Sequence, residues 1–242
     1  NWKKFQIPAN THLASGAYIK FDEKDFNPNG LWNPNAGNRG PNEFTFSSQG
    51  DSAWILEADG SGKLIRFIDK VDFGASINGI SMGRHVNSLK EVFFTSQKSK
   101  TLGVSNTGPK IGPVVISEIM YHPEPGEMEW VELQNISDGE VRLFNPDHPT
   151  NTWRVGGIGF NFPQDFSLEK RGMVILVNGD PDAFRLKHNI EEEVSILGPF
   201  SGNLQDSGER IVLKLPDNPN LGETESPYVE IDSVRYNDKE SW

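Results

Sequence analysis

The chain has 242 residues, 23 Lys and Arg against 34 Asp and Glu, a formal charge of −11 and no cysteine. The lack of cysteine excludes disulfides, thiolate zinc sites and a cysteine nucleophile. The acidic balance argues against a nucleic-acid surface, which needs clustered Lys and Arg to displace counterions from phosphates.

In chain order, residues 1–20 lack the apolar stretch of a signal peptide after Lys3-Lys4, and no apolar run anywhere reaches the length of about 18 residues needed to insert in a membrane. Strands are predicted over 17–21, 53–57 and 64–71, where apolar residues stand between Gly, Asn, Pro and Asp. Residues 27–42 form an Asn/Pro/Gly-rich loop around Leu31-Trp32. An aromatic ring in such a loop either plugs it against its own domain or offers Trp32 as a platform for a sugar ring. Gly79-Ile80-Ser81-Met82-Gly83 fits the serine-hydrolase elbow G-x-S-x-G. That elbow needs a helix behind it, whereas a strand-like stretch, 91–95, follows here, so a turn is predicted instead.

Residues 98–112 read as a linker with turn chemistry at its tip. Beyond it, strands are predicted over 114–120, 130–135, 141–144, 173–177, 211–215 and 229–234. A helix is predicted over 181–187, with Asp180 as N-cap and Pro181 in its first turn. Alternation along a strand places Glu118 on the face of Val114, Ile116 and Met120, and Glu132 on the face of Trp130. A carboxylate on an apolar face needs donors or a counter-charge, so Glu118 and Glu132 are expected to be a structural acidic pair. The alternatives are a shared Ca²⁺ site and an acid pair for hydrolysis. Asp69 with Asp72 and Asp206 with Glu209 are further acidic loops, but neither fits the D-x-[DN]-x-[DN]-G calcium pattern. The five histidines show no H-x-H or H-x-x-x-H spacing, so no metal centre and no cofactor is expected. Many short strands with frequent turn signals predict an all-β chain built as a β-sandwich.

Landmarks recur in one order. Trp2 answers to Trp153, Phe5-Gln6-Ile7-Pro8 to Phe160-Asn161-Phe162-Pro163, and Ala17-Tyr18-Ile19 to Met173-Val174-Ile175. Asp25-Phe26 answers to Ala183-Phe184, Phe46-Ser47 to Phe200-Ser201, Gly50-Asp51 to Gly208-Glu209, and Ile68-Asp69-Lys70-Val71 to Ile231-Asp232-Ser233-Val234. A repeat of this length is a repeated domain. The expected domains are therefore 1–97, truncated at its N-terminus, and 113–242, complete, in a piece of a longer tandem array. The first copy has no counterpart to residues 114–144. The gap predicts either self-association through the first domain or cover from residues 80–95.

The second copy carries Val114-Val115-Ile116-Ser117-Glu118-Ile119-Met120-Tyr121-His122-Pro123 and Glu129-Trp130-Val131-Glu132-Leu133-Gln134-Asn135. Trp153, Gly172 before an apolar strand, and Gly208-Glu209-Arg210-Ile211-Val212-Leu213 follow. This order resembles the lamin tail domain family, in particular its bacterial members that occur in tandem copies. The resemblance implies two tandem immunoglobulin-like β-sandwich domains without catalytic residues of their own. It also implies a non-enzymatic accessory module of a larger exported protein, extracellular or at the cell surface. Such a module serves adhesion or domain spacing, with a protein or a cell-surface polysaccharide as partner. A carbohydrate-binding module using Trp32 and a metal-dependent hydrolase with a split acidic site are the alternative readings.

Overall fold

The computed structural model describes residues 4–27, 44–88, 90–219 and 226–238. The chain divides into two compact units, Asn1–Lys110 and Ile111–Trp242. Among the described residues it is all-β apart from two short helices.

Unit 1 holds helix α1 (Glu23–Phe26) and strands β1 (Gly50–Ala58), β2 (Leu64–Gly74), β3 (Met82–Val86) and β4 (Val92–Ser96). Strands β1 and β2 form one antiparallel hairpin, and β3 and β4 another. Capping explains α1: Asp22 accepts from Lys24 N at 3.0 Å while Asp25 accepts from Asp22 N at 2.7 Å. The predicted strand 17–21 is not one. That segment is irregular, and Tyr18 and Ile19 are exposed. The stretch expected as a linker folds back on unit 1. Lys98 N donates to Gly108 O, Lys110 N donates to Ser96 O, and the buried Gln97 donates to Gly83 O at 3.1 Å. Gly83 is needed there, because a Cβ would meet the Gln97 side chain at 2.9 Å.

Unit 2 holds β5 (Val114–Met120), β6 (Trp130–Asn135), β7 (Val141–Arg142), β8 (Phe144–Asn145), β9 (His148–Thr152), β10 (Arg154–Gly156), β11 (Phe160–Asn161), β12 (Ser167–Leu168) and β13 (Met173–Val177). Helix α2 (Pro181–His188), β14 (Ser195–Leu197), β15 (Arg210–Pro216) and β16 (Tyr228–Arg235) follow. Two four-stranded sheets run in the orders β14-β13-β6-β5 and β11-β10-β15-β16. Val114, Ile116, Val131, Leu133, Val174 and Leu176 from the first meet Val155, Phe160, Ile211 and Leu213 from the second in one buried cluster around Trp153. Ile175 and Val177, on the other face of β13, pack with Phe184 of α2, so β13 is buried on both faces and apolar throughout. Helix α2 begins where predicted, with Asp180 accepting from Asp182 N at 3.0 Å, and it ends on left-handed Asn189 at φ 51°. It bridges β13 to the parallel β14, as parallel neighbours require.

The β1–β2 and β15–β16 hairpins, whose sequence landmarks match, share a register. Ala53 pairs with Val71 and Ile211 with Val234. Both hairpins skip one residue at the same place. Ile55 pairs with Asp69 and Leu56 with Phe67, leaving out Ile68; Leu213 pairs with Asp232 and Lys214 with Glu230, leaving out Ile231. Both open on a glycine pressed against the partner strand. A Cβ on Gly50 (φ +109°) would lie 2.5 Å from Phe73 O, and one on Gly208 (φ +101°) would lie 2.5 Å from Tyr236 O.

Burial divides the units. Among the described residues, Ala75 is the one buried hydrophobic residue of unit 1. Unit 1 is held instead by a chain of rings, Phe5–Phe21 at 4.9 Å, Phe5–Phe26 at 5.2 Å, Phe26–Phe44 at 4.8 Å, Phe44–Phe46 at 5.8 Å and Phe46–Phe73 at 5.5 Å between centroids.

Candidate functional site

The register equivalence sets up a controlled comparison. Leu213 is fully buried in unit 2, while its counterpart Ile55 is 51 % exposed. Ile231 packs against the unit 2 core, while its counterpart Ile68 is 51 % exposed. Trp54 and Phe67 are also about half exposed, touching edge to face at 5.4 Å, and Lys70 Nζ lies 4.6 Å from the Trp54 ring. The hairpin thus leaves apolar residues exposed on both of its faces, Ile55 on the face of Ala53 and Val71, and Trp54 with Phe67 on the other.

Strands β3 and β4 cover part of the gap. Phe94 lies 6.2 Å from Phe73, and Arg84 Nη2 donates to Asp69 Oδ2 at 2.8 Å. The guanidinium holds the Asp69 carboxyl below the usual aspartate range. Between the two hairpins remains an open cavity of about 460 Å³, lined by Phe46, Ala53, Val71, Phe73, Met82 and Phe94 among others. Ala53 stands where unit 2 carries Ile211, so part of that volume is an absent side chain.

The acidic pair differs from expectation. Between Ile116 and Glu118 the β5–β6 register shifts, so Ser117 is the extra residue and Glu118 turns away from the face of Val114 and Ile116. Glu118 is exposed and stands directly opposite Glu132. Glu132 is half-buried and accepts from Ser117 Oγ at 2.7 Å. No group of three or more His, Cys, Asp or Glu suited to a metal ion occurs among the described residues. Two of the other acidic candidates are engaged: Asp72 pairs with Lys70 at 2.7 Å, and Glu209 accepts from Gln205 N and from the Tyr236 hydroxyl, while Asp206 is exposed. Burial, reinforced by that Glu209 carboxylate, raises the Tyr236 pKa. Ser81 precedes β3 rather than a helix. Gly79 at φ +83° and the Ile80 N to Ile77 O bond close a turn there, and Ser81 Oγ touches no hydrogen-bonding partner among the described residues. Trp2 and Trp32, with the loop around Trp32, lie outside the described residues.

Two residues that sequence reasoning had only as motif letters turn out to be structural hubs. The buried Asn135 donates to the carbonyls of Gly139, Leu168 and Glu169 at 2.8, 3.1 and 2.9 Å, and accepts from Ser137 N and Oγ. Glu129 accepts from Leu204 N at 3.0 Å and from Asn178 Nδ2 at 3.2 Å. Their placement at the two ends of β6 was the available signal: a polar residue closing an apolar strand ties down the neighbouring loops.

Compared with protein-family models, with curated proteins and with solved structures, the chain gives no match.

Proposed function

We propose that this chain is a non-enzymatic interaction module in which unit 2 is a complete immunoglobulin-like sandwich of the lamin tail type and unit 1 is a second copy that presents its core face to a partner. The observation that carries the reading is the half-exposed Ile55 and Ile68, whose counterparts Leu213 and Ile231 pack in the unit 2 core. Support for unit 2 comes from what the motif residues do. Glu129, Asn135, Gly208 and Glu209 all tie strands and loops together, which suits a scaffold. The exported setting, with a role in adhesion or spacing, rests on the family resemblance.

Beads coated with the chain, laid on immobilised matrix proteins and on cell-surface polysaccharides, test the reading. Adhesion that falls about tenfold or more in the Ile55→Asp/Ile68→Asp variant, with unit 2 unfolding unchanged, is the expected result. Adhesion indifferent to both substitutions, or hydrolysis of the immobilised ligand, overturns it.

A further inference from the structure

Val155, Ile211 and Leu213 enter the unit 2 core, so alternation turns Arg154, Arg210 and Lys214 outward on the sheet β11-β10-β15-β16. The register sets Arg154 directly opposite Lys214, and Arg210 directly opposite Arg235. Two like-charged pairs therefore face each other across ladders, which costs stability, in a chain whose formal charge is −11. Glu230, opposite Lys214, is the one acid on that face of β10, β15 and β16, and it pairs with Arg210. The Arg154 guanidinium lies 3.8 Å over the Tyr228 ring, and Arg154, Lys214 and Arg235 have no ion-pair partner among the described residues. The fold does not demand these charges. In the matching register of unit 1, Ser52, Leu56 and Asp72 stand in the places of Arg210, Lys214 and Arg235.

We propose that this face binds a linear polysaccharide that carries an anionic group, a carboxylate or a sulfate, on alternate sugars. The site lies in unit 2 and makes no use of the hairpin face of unit 1. Guanidinium forks pair bidentately with such oxygens, and stacking on Tyr228 holds the Arg154 fork in place. Lys214 stands four residues along β15 from Arg210, about 14 Å at about 3.4 Å per residue. The uncharged Val212 and Ser233 lie between them. The two basic pairs are thus spaced for sparse charges. A strand of duplex nucleic acid sets a charge about every 3.4 Å, so most of its phosphates would meet no cation and would be repelled by the chain's net charge. An acidic peptide lying on this face finds no main-chain partner, because residues 212–214 are already paired on both sides, by β10 and β16. A polysaccharide needs none: its hydroxyls stay in water while its acidic groups meet the basic pairs.

The probes are fluorescent hyaluronate octasaccharides, with a carboxylate on alternate sugars, and chondroitin sulfate octasaccharides, which add sulfate. They are titrated into the full chain beside uncharged dextran, a polyglutamate peptide and a single-stranded oligonucleotide. Saturable binding of at least one of the two glycans, weakened by added salt, is expected. Binding of both reads the shared carboxylate, and binding of chondroitin sulfate alone assigns the sulfate. Arg154→Gln/Lys214→Gln should weaken it about tenfold or more, with the unfolding midpoint of unit 2 held or raised because the repulsion across the ladder is gone. Arg210→Gln/Arg235→Gln should weaken it likewise. Lys170→Glu/Lys187→Glu, which makes the chain more acidic away from this face, should change it by less than about twofold. The proposal is overturned if neither glycan binds, if dextran binds as well, or if binding ignores salt or the Gln variants. An equal loss in Lys170→Glu/Lys187→Glu overturns it too. Tighter binding of polyglutamate or of the oligonucleotide than of either glycan also overturns it and gives the face to that ligand class. Bead adhesion that needs Arg154 and Lys214 but not Ile55 and Ile68 sustains this site and removes the unit 1 reading. The reverse removes this site and keeps that reading.

Discussion

At the scale of single residues, the chemistry of unit 2 is the satisfaction of buried polar groups. Asn135 uses both amide hydrogens and its carbonyl, so Asn135→Ala strands three carbonyls and the Ser137 donors. Chemical denaturation should show a loss on the order of 3 kcal/mol. Glu132→Gln keeps the acceptor for Ser117 and relieves the charge opposite Glu118, so its effect should stay within about 0.5 kcal/mol. Equal losses at the two positions would contradict this account. Tyr236 makes stability depend on alkaline pH. Its hydroxyl is partly buried and bonded to a carboxylate, so the folded chain holds the proton at a higher pH than the unfolded chain, which releases it near pH 10. The stabilisation is therefore complete below about pH 10 and is lost as pH rises toward the folded value. Denaturation midpoints of unit 2 should fall across about pH 9.5 to 11.5, and Tyr236→Phe should flatten that fall. The sequence marked Glu118 and Glu132 as unusual but misplaced Glu118, because a single extra residue at Ser117 reverses the face of everything after it.

At the scale of elements, strands buried on one or both faces were legible and short ones were not. Strands β5, β6 and β13 occupy the predicted spans, because each repeats its apolar pattern for long enough to show a period. The predicted strand 141–144 is broken at Leu143 into β7 and β8, and β11 and β12, two residues each, are too short for any alternation to appear. The segment 17–21 has the composition of its counterpart β13 but not the structure. Strand β13 is paired on both sides, by β6 and β14, and strand preference is a response to neighbours more than a property of the chain. Glycine gives the sharper test of the repeated hairpin. Gly50 and Gly208 both combine positive φ with a partner backbone 2.5 Å from a Cβ position, so Gly208→Ala and Gly50→Ala should each cost about 1–3 kcal/mol in their own unit. Thermal melts should show unit 2 shifted by Gly208→Ala and untouched by Gly50→Ala. A harmless Gly208→Ala would remove the evidence that the two hairpins solve the same packing problem.

At the scale of the whole chain, one polypeptide carries a cored unit and one whose described residues are almost all exposed or half-buried, and the hydrophobic effect ranks their stability. Burial of aliphatic side chains contributes about 1.5–3 kcal/mol each, and nearly all fully buried aliphatics lie in unit 2. The repeated landmarks marked two units, and the chain divides into two compact units at Lys110–Ile111. The scarcity of buried residues among the described residues of unit 1 was not legible, because Ile55 and Ile68 look as apolar in sequence as Leu213 and Ile231, and only the opposing sheet decides whether they are buried. Local stability should follow that division. Hydrogen exchange should give the slowest amides in β6, β13 and β15, and β1–β2 amides should exchange much faster through local opening. Residues 111–242 expressed alone should keep the unfolding midpoint that unit 2 has in the full chain, because the buried cluster around Trp153 draws on that unit alone. An unfolded isolated piece would contradict that self-sufficiency of unit 2, and if β1–β2 amides are as protected as those of β6, then unit 1 is stabilised by something other than its own ring contacts. The exposed hairpin face would then have to be occupied in solution, and sedimentation across a concentration range would show whether a second copy of the chain occupies it.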